Sequence, residues 1–393
     1  MNVELTSQTP GEKLRWLEVG GNKLALHATP RLRQPSQLAG FTDRFGQNYW
    51  ILKNPEGNNY LSLDQAELFY LERMDGQRTV ATLNMEYLQA HRALGDRLLS
   101  GLLIKLQTRG FLREPLLELE TEKPKPRPWW SRLWQTSFSL GEIDPLATRL
   151  YQRVGWILFT PLARLLLLSV VVSGLVVFIL QIWAGGGRYL YLHTFSGPEV
   201  IGLWLPLPLC MILHESAHML ACKAHGLRVG RLGVIIGILG IPAPYVNTND
   251  TWMAPQKARM MVSAAGPFTN LFIAGLCAAL AYSYTSFQPF LLRLSALNYL
   301  LTFINLNPWT ESDGYLLLMD YLRVPGLRAS ARKFMRTEFP HLIRRGWQGL
   351  TDRQRIFAAY WVGSFLYSAI ISPINTWVLA MSVYRLLVAS WHG

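Results

Sequence analysis

The sequence predicts a mainly α fold. It reads as a polytopic helical membrane protein with about five to six transmembrane helices and a re-entrant strand segment, preceded by a small α+β domain. Three observations carry this. Half of the 393 residues are hydrophobic and fall in long runs, and the mean hydropathy is positive at +0.15. The net charge of +13 comes from Lys and Arg gathered beside those runs, which is the pattern of a membrane protein rather than of a nucleic-acid binder. Between Leu38 and Pro115 the pattern changes to short alternating stretches with helix-capping signals, as in a soluble module.

The elements follow in order. Residues 1–37 are polar with little period and read as a loose tail. The first residues carry no apolar signal-peptide core, so the N-terminus is expected in the cytoplasm. Residues 38–118 form the module. The run FTDRFGQNYWILKNPEGNNYLSL, residues 41–63, reads as strand, turn, strand. Ser62 or Asp64 can cap a helix over DQAELFYLERM, and Asp75-Gly76 ends it. Thr79 can start a second helix, and LLSGLLIKLQTRGFL reads as a third, stopped by Gly110. Two short strands with three helices predict a winged-helix-like arrangement. The third helix lacks the basic run that a DNA groove needs. Residues 119–154 read as a juxtamembrane linker. Alternating Pro extends it, and its Lys, Arg and Trp residues suit a headgroup layer.

Residues 155–322 read as a membrane core. Its first helix runs from Trp156 to Trp183, with six basic residues before it, from Lys123 to Arg153, and Arg188 after it. The positive-inside bias places its N-terminal end in the cytoplasm. The apolar stretch Val200 to Gly226 then returns inward. Leu227 to Asn249 is apolar but broken by Gly and Pro, and is expected to be a re-entrant strand pair lining protein or water. Further helices are expected over Lys257 to Tyr284 and Phe290 to Leu306. Residues 323–355 form a strongly basic cytoplasmic loop. Residues 356–393 fit either two short helices or one kinked at Pro373. Cys210, Cys222 and Cys277 all lie in apolar runs and read as small buried hydrophobes.

The chemistry sits in Val200 to Gly226. His214, Glu215 and His218 stand in HESAH, and ionisable side chains at membrane depth are costly, roughly 2.5–3.5 kcal/mol for a central acid or base. Positions i and i+4 share a helix face, so both imidazoles can reach one zinc ion, with the glutamate between them as base. A polar lining of a water-filled bundle is the simpler alternative, but it explains neither the identities nor the spacing. A catalytic zinc takes three protein ligands and a water. Asp313, an acid between apolar runs after the helix-breaking Pro308, is the best-placed third donor. It could instead be a helix cap. His193, His225 and His341 read as surface residues, with His225 held in reserve.

HESAH, AAGPFTN and NLNPWTESDG together resemble the zinc helix, small-residue helix and Asn-Pro…Asp-Gly segment of the site-2 protease family of intramembrane metalloproteases. Within it the chain looks most like the bacterial peptide zinc metalloprotease branch, through Val229 to Gly233, Pro242 to Val246 and Asn307 to Leu322. The module, through LSLDQAELFYLERMDGQRTVATL and TRGFL, resembles the leader-binding domain typified by the pyrroloquinoline-quinone peptide chaperone. Such domains add a peptide as a strand to a sheet edge. These resemblances imply one Zn2+ held by His214, His218 and Asp313, with Glu215 as catalytic base. They imply that Asn270 and Asn305 hold an extended substrate.

They further imply a multi-pass protein of the cytoplasmic membrane acting on a peptide or membrane-protein substrate, in peptide maturation or export or in regulated intramembrane proteolysis. A transporter and a membrane-fusion adaptor are the partners implied, with the lipid bilayer and no nucleic acid. The chain departs from the branch at the polar run Trp309 to Ser312, at Leu316 and at Asn247, and Glu311 could compete for the metal. The rival reading is a non-proteolytic membrane subunit of a peptide exporter. A metal transporter fits less well, since the chain has no repeated helices.

Overall fold

The structure is a computed structural model that describes residues 16–19, 22–34, 36–54, 59–118, 137–185, 187, 202–203, 205–236, 242–342, 349–371, 373 and 381. The chain divides into two compact units, Met1–Leu133 and Trp134–Gly393.

In the first unit, β1 (Trp16–Val19) and β2 (Asn22–Ala25) form an antiparallel hairpin extended by β6 (Leu117–Glu118). Part of the stretch read as a loose tail is therefore strand. Its partners are four and two residues long, too short for alternation to register in sequence. A second sheet is an antiparallel meander of β3 (Gln37–Thr42), β4 (Asn48–Asn54) and β5 (Asn59–Leu63), one strand more than expected. The extra connection is made by Asp43, whose carboxylate accepts the N–H groups of Phe45 and Gln47 at 2.8 Å each. Gly46 supplies the positive φ of 79° beside it.

Three helices follow: α1 (Gln65–Leu71), α2 (Val80–His91) and α3 (Asp96–Thr108). Asp64 and Glu67 make a reciprocal capping box on α1, and Thr79 caps α2. Gly110, at φ 73°, ends the third helix. Leu52, Leu61 and Leu63 of the sheet pack with Tyr70, Leu83, Leu99, Leu103 and Phe111 into one core.

The second unit starts earlier than the sequence suggests. Within the stretch read as a linker, residues 137–153 form β7 (Ser137–Glu142) and α4 (Asp144–Arg153). A Pro at the second helical position starts α4. Asp144 fixes it by accepting the Val229 N–H at 2.8 Å and pairing with Lys223. Residues 119–136, the Pro- and Trp-rich part of that linker, lie outside the described residues.

After a short 3-10 turn, α5 (Pro161–Ala184) begins at Pro161 rather than Trp156, because Thr160 caps it and Pro161 occupies the first turn. Then come α6 (Pro206–Ala224), β8 (Arg231–Ile236), β9 (Pro242–Val246), α7 (Gln256–Ser283), α8 (Gln288–Asn305), α9 (Asp313–Leu322), α10 (Leu327–Thr337), α11 (Phe339–Leu342) and α12 (Asp352–Leu366). The Gly- and Pro-broken stretch after α6 thus gives two strands, which join β7 in an antiparallel sheet of order β7-β8-β9. The basic stretch after α9, expected as a loop, is largely helical, because α10 turns Leu327, Ala331 and Phe334 to one buried face.

Among the described residues three helices are long and apolar enough to cross a membrane: Pro161–Ala184, Gln256–Ser283 and Thr285–Asn305. Most of the last apolar stretch, and with it the choice between one and two helices, falls outside the described residues.

At the centre of this unit is α7, which packs against α5, α6, α8 and α9. Its crossing with α5 is close: a Cβ at Gly174 would run into the backbone of Gly275, and one at Gly275 would come within 2.6 Å of the Val170 carbonyl oxygen. Small residues allow such a backbone approach where helices cannot be driven together by the hydrophobic effect. Gln181 ties the same corner by donating to the Ala278 carbonyl at 2.9 Å.

Candidate metal centre

The HESAH segment lies mid-way along α6, so the i, i+4 spacing turns both histidines to one side, against α7. Both are buried, each 7% exposed. Their Nε2 atoms stand 3.1 Å apart. Asp313, the first residue of α9, reaches the same point, with Oδ2 3.2 Å from His214 Nε2 and Oδ1 3.4 Å from His218 Nε2. Glu215 adds a carboxylate oxygen, and donor atoms of His214, Glu215 and His218 lie within 4.8 Å of one another.

Two further contacts orient these groups. His218 Nδ1 lies 2.7 Å from the Val262 carbonyl of α7. An N–H donated there leaves the Nε2 lone pair facing Asp313. Glu215 Oε2 accepts the backbone N–H of Val246, at the end of β9, at 2.9 Å. Gly266 of α7 lies against the histidines, and a Cβ there would overlap the Nε2 atoms of both.

The set fits a zinc ion. Ligand atoms held tetrahedrally at about 2.0–2.1 Å from zinc lie roughly 3.3 Å apart; the two Nε2 atoms are 3.1 Å apart, and the Asp313 carboxylate brings Oδ2 to 3.2 Å from His214 and Oδ1 to 3.4 Å from His218. Two imidazole lone pairs and a carboxylate are all acceptors. Brought together in a buried site they repel unless a cation or protons sit between them.

The Asp313 side of the site is built with care. The turn before α9 is closed by Asn307, whose Oδ1 accepts the Trp309 N–H at 2.9 Å and whose carbonyl accepts the Ser312 hydroxyl at 2.7 Å. Gly314 sits so close to the Leu306 carbonyl that no side chain would fit. At its other end α9 is held to α7 by a buried ion pair, Arg259 Nε to Asp320 Oδ1 at 2.7 Å. Gln256 Nε2 donates to the Asp320 carbonyl at 2.8 Å beside it.

The remaining expected residues are dispersed. Asn270 is buried one turn along α7 from Gly266, and its Oδ1 has no hydrogen-bond partner among the described residues. Asn305 is half-buried at the end of α8. His225 and His341 are exposed, and His193 lies outside the described residues. Glu311 turns away from the cluster: its side chain is 79% exposed and pairs with Arg328 at 2.9 Å.

Sequence reasoning missed Val262, Gly266, Arg259 and Asp320. The Val262 contribution is a backbone carbonyl, which no side-chain pattern announces. Gly266 stood in a small-residue run whose partner was unknown. Arg259 and Asp320 carried a readable signal, since opposite charges in neighbouring apolar helices call for each other.

Over 116 residues the chain is 30% identical to the protein named "Putative peptide zinc metalloprotease protein YydH" of Bacillus subtilis (strain 168). That stretch is 28% of this chain and 44% of the relative. The chain therefore matches less than half the length of that relative. No family model matches the sequence, and no solved structure matches it. The similarity points to the zinc proteases and goes no finer than that.

Proposed function

We propose that this chain is a zinc-dependent endopeptidase of the cytoplasmic membrane, of site-2 protease type, acting on a peptide during its maturation or export. The observation that carries the reading is the meeting of His214, His218 and Asp313 within 3.1–3.4 Å, with Glu215 beside them.

In this reading the two Nε2 atoms and the Asp313 carboxylate hold the ion. The bound zinc would polarise the scissile carbonyl and lower the pKa of a water. Glu215 takes the proton of the attacking water. Its Oε2 is fixed by the Val246 N–H, which leaves Oε1 to receive the proton and then to pass it to the departing amine. The buried surroundings strengthen each of these charge interactions. A substrate must enter unwound, because a helical backbone keeps its carbonyls hydrogen-bonded. Asn270, with a buried oxygen lacking a partner among the described residues, is suited to accept an N–H of that extended segment, and Asn305 takes a similar part. The N-terminal unit recruits the peptide from the cytoplasm by strand addition, which raises its concentration at the site. A transporter and its adaptor receive the product.

The test is cleavage of a co-encoded peptide by the purified protein, with bound zinc measured alongside. Glu215→Gln is expected to keep zinc and to lower cleavage by at least about 100-fold. Removing residues 1–120 is expected to raise KM with zinc content unchanged. A zinc-loaded wild type that cleaves nothing, or a Glu215→Gln variant that cleaves equally well, would favour the non-proteolytic exporter subunit.

A further inference from the structure

Away from the metal centre, α10 and α12 enclose a cleft of about 190 Å³. Arg328 and Arg332 of α10 line it, with Trp361, Ser364 and Phe365 of α12 opposite and Ser368 from the π-helical turn Tyr367–Ile371 that continues α12. Trp361 and Phe365 are stacked, with ring centroids 5.4 Å apart and planes within 10°. Past them the surface stays apolar: Val362, Phe365, Leu366 and Ile370 are all exposed. The cleft thus joins two guanidinium groups and two hydroxyls to an aromatic wall and an open hydrocarbon-like face. Arg328 shares its charge with the exposed Glu311, and Arg332 makes no ion pair among the described residues.

We propose that this cleft binds the headgroup of an anionic phospholipid, with the acyl chains lying along the apolar face of α12. Guanidinium forks match phosphate oxygens in geometry and charge, and basic pockets beside membrane helices are where such headgroups lodge. A free phosphate would satisfy the arginines but leave the apolar wall in water. The stacked Trp and Phe suit the boundary between headgroup and chain.

The cleft is also joined to the metal centre. Tyr360, which lines it, donates its hydroxyl to the Pro308 carbonyl at 3.3 Å and packs its ring at a tilt against Trp309, with centroids 5.5 Å apart. The Arg328 N–H donates to the Tyr315 hydroxyl at 3.2 Å. Trp309 and Tyr315 stand on either side of Asp313 in the chain. A headgroup that draws Arg328 from Glu311 therefore acts on the segment that carries the third donor. The proposal rests on placing this unit in a bilayer, and not on proteolysis.

The test is lipid retention by the full-length protein in a neutral detergent, read by native mass spectrometry with dioleoyl phosphatidylglycerol or dioleoyl phosphatidylcholine added. Wild type is expected to hold phosphatidylglycerol roughly tenfold more tightly than Arg328→Gln/Arg332→Gln. Lys333→Gln/Arg336→Gln removes the same charge from α10 outside the cleft, and is expected to match wild type. If the first pair melts lower without lipid, Arg332→Gln alone decides, since that residue holds no ion pair among the described residues. Equal retention of phosphatidylcholine, equal losses in both double variants, or full displacement of the lipid by equimolar inorganic phosphate would overturn the proposal. Neither cleavage nor zinc is read, so the outcome stands apart from that of the protease test.

Discussion

Gly266→Ala is expected to empty the metal centre while leaving the helix bundle intact. Glycine inside a helix is ordinarily a weakness, and alanine there adds roughly 0.5–1 kcal/mol of stability. Here the added methyl would occupy space next to the Nε2 atoms of His214 and His218. The close crossing at Gly174 and Gly275 is untouched. The expected result is zinc affinity lowered by more than about 100-fold, cleavage lost with it, and a melting temperature in chelator equal to or above that of wild type. Zinc per chain after desalting, measured beside thermal unfolding with and without chelator, checks this. A variant that retains its zinc would show that the glycine serves only the packing of α6 on α7.

A second large effect is expected at the ion pair that joins α7 to α9. Arg259→Met leaves the Asp320 carboxylate buried, at 4% exposure, without its guanidinium. Removing one partner of a buried pair costs about 3–5 kcal/mol, whereas an apolar replacement of both is often near neutral. Arg259→Met is therefore expected to unfold far more readily than wild type, and Arg259→Met/Asp320→Leu to recover most of the loss. Asp320 and Asp313 lie on one short helix, so a loosened α9 also moves the third donor. The d–d absorption of the cobalt-substituted protein should weaken in the single variant and return in the double one. Equal melting of all three proteins would refute the clamp.

The sequence carried the local signals well. Asp64, Thr79 and Gly110 act where capping chemistry puts them, and the i, i+4 histidines share a face because helix geometry leaves no other choice. Asp313 stands within 3.4 Å of those histidines in the structure. What sequence could not supply was pairing between distant segments. Residues 137–142 looked like linker because a strand of six residues gains its meaning from β8, far along the chain. The short strands of the first unit were hidden for the same reason. Gly266 and the Val262 carbonyl matter through what lies opposite them, and a linear reading holds no opposite. Glu311 shows the converse: an acid two residues from Asp313 invites a metal role, and only Arg328 reveals that it is engaged elsewhere.

The candidate metal donors come from α6 and α9, while α7, between them in the chain, holds the His218 imidazole and makes room for it. During synthesis α6 emerges first, carrying two of the three candidate donors. The three-donor cage closes only when the last of these helices has docked. On the proposed reading, zinc would then seal a completed assembly, adding stability in proportion to the logarithm of its concentration. A half-made chain would, on the same reading, carry Glu215 without the complete set of metal donors.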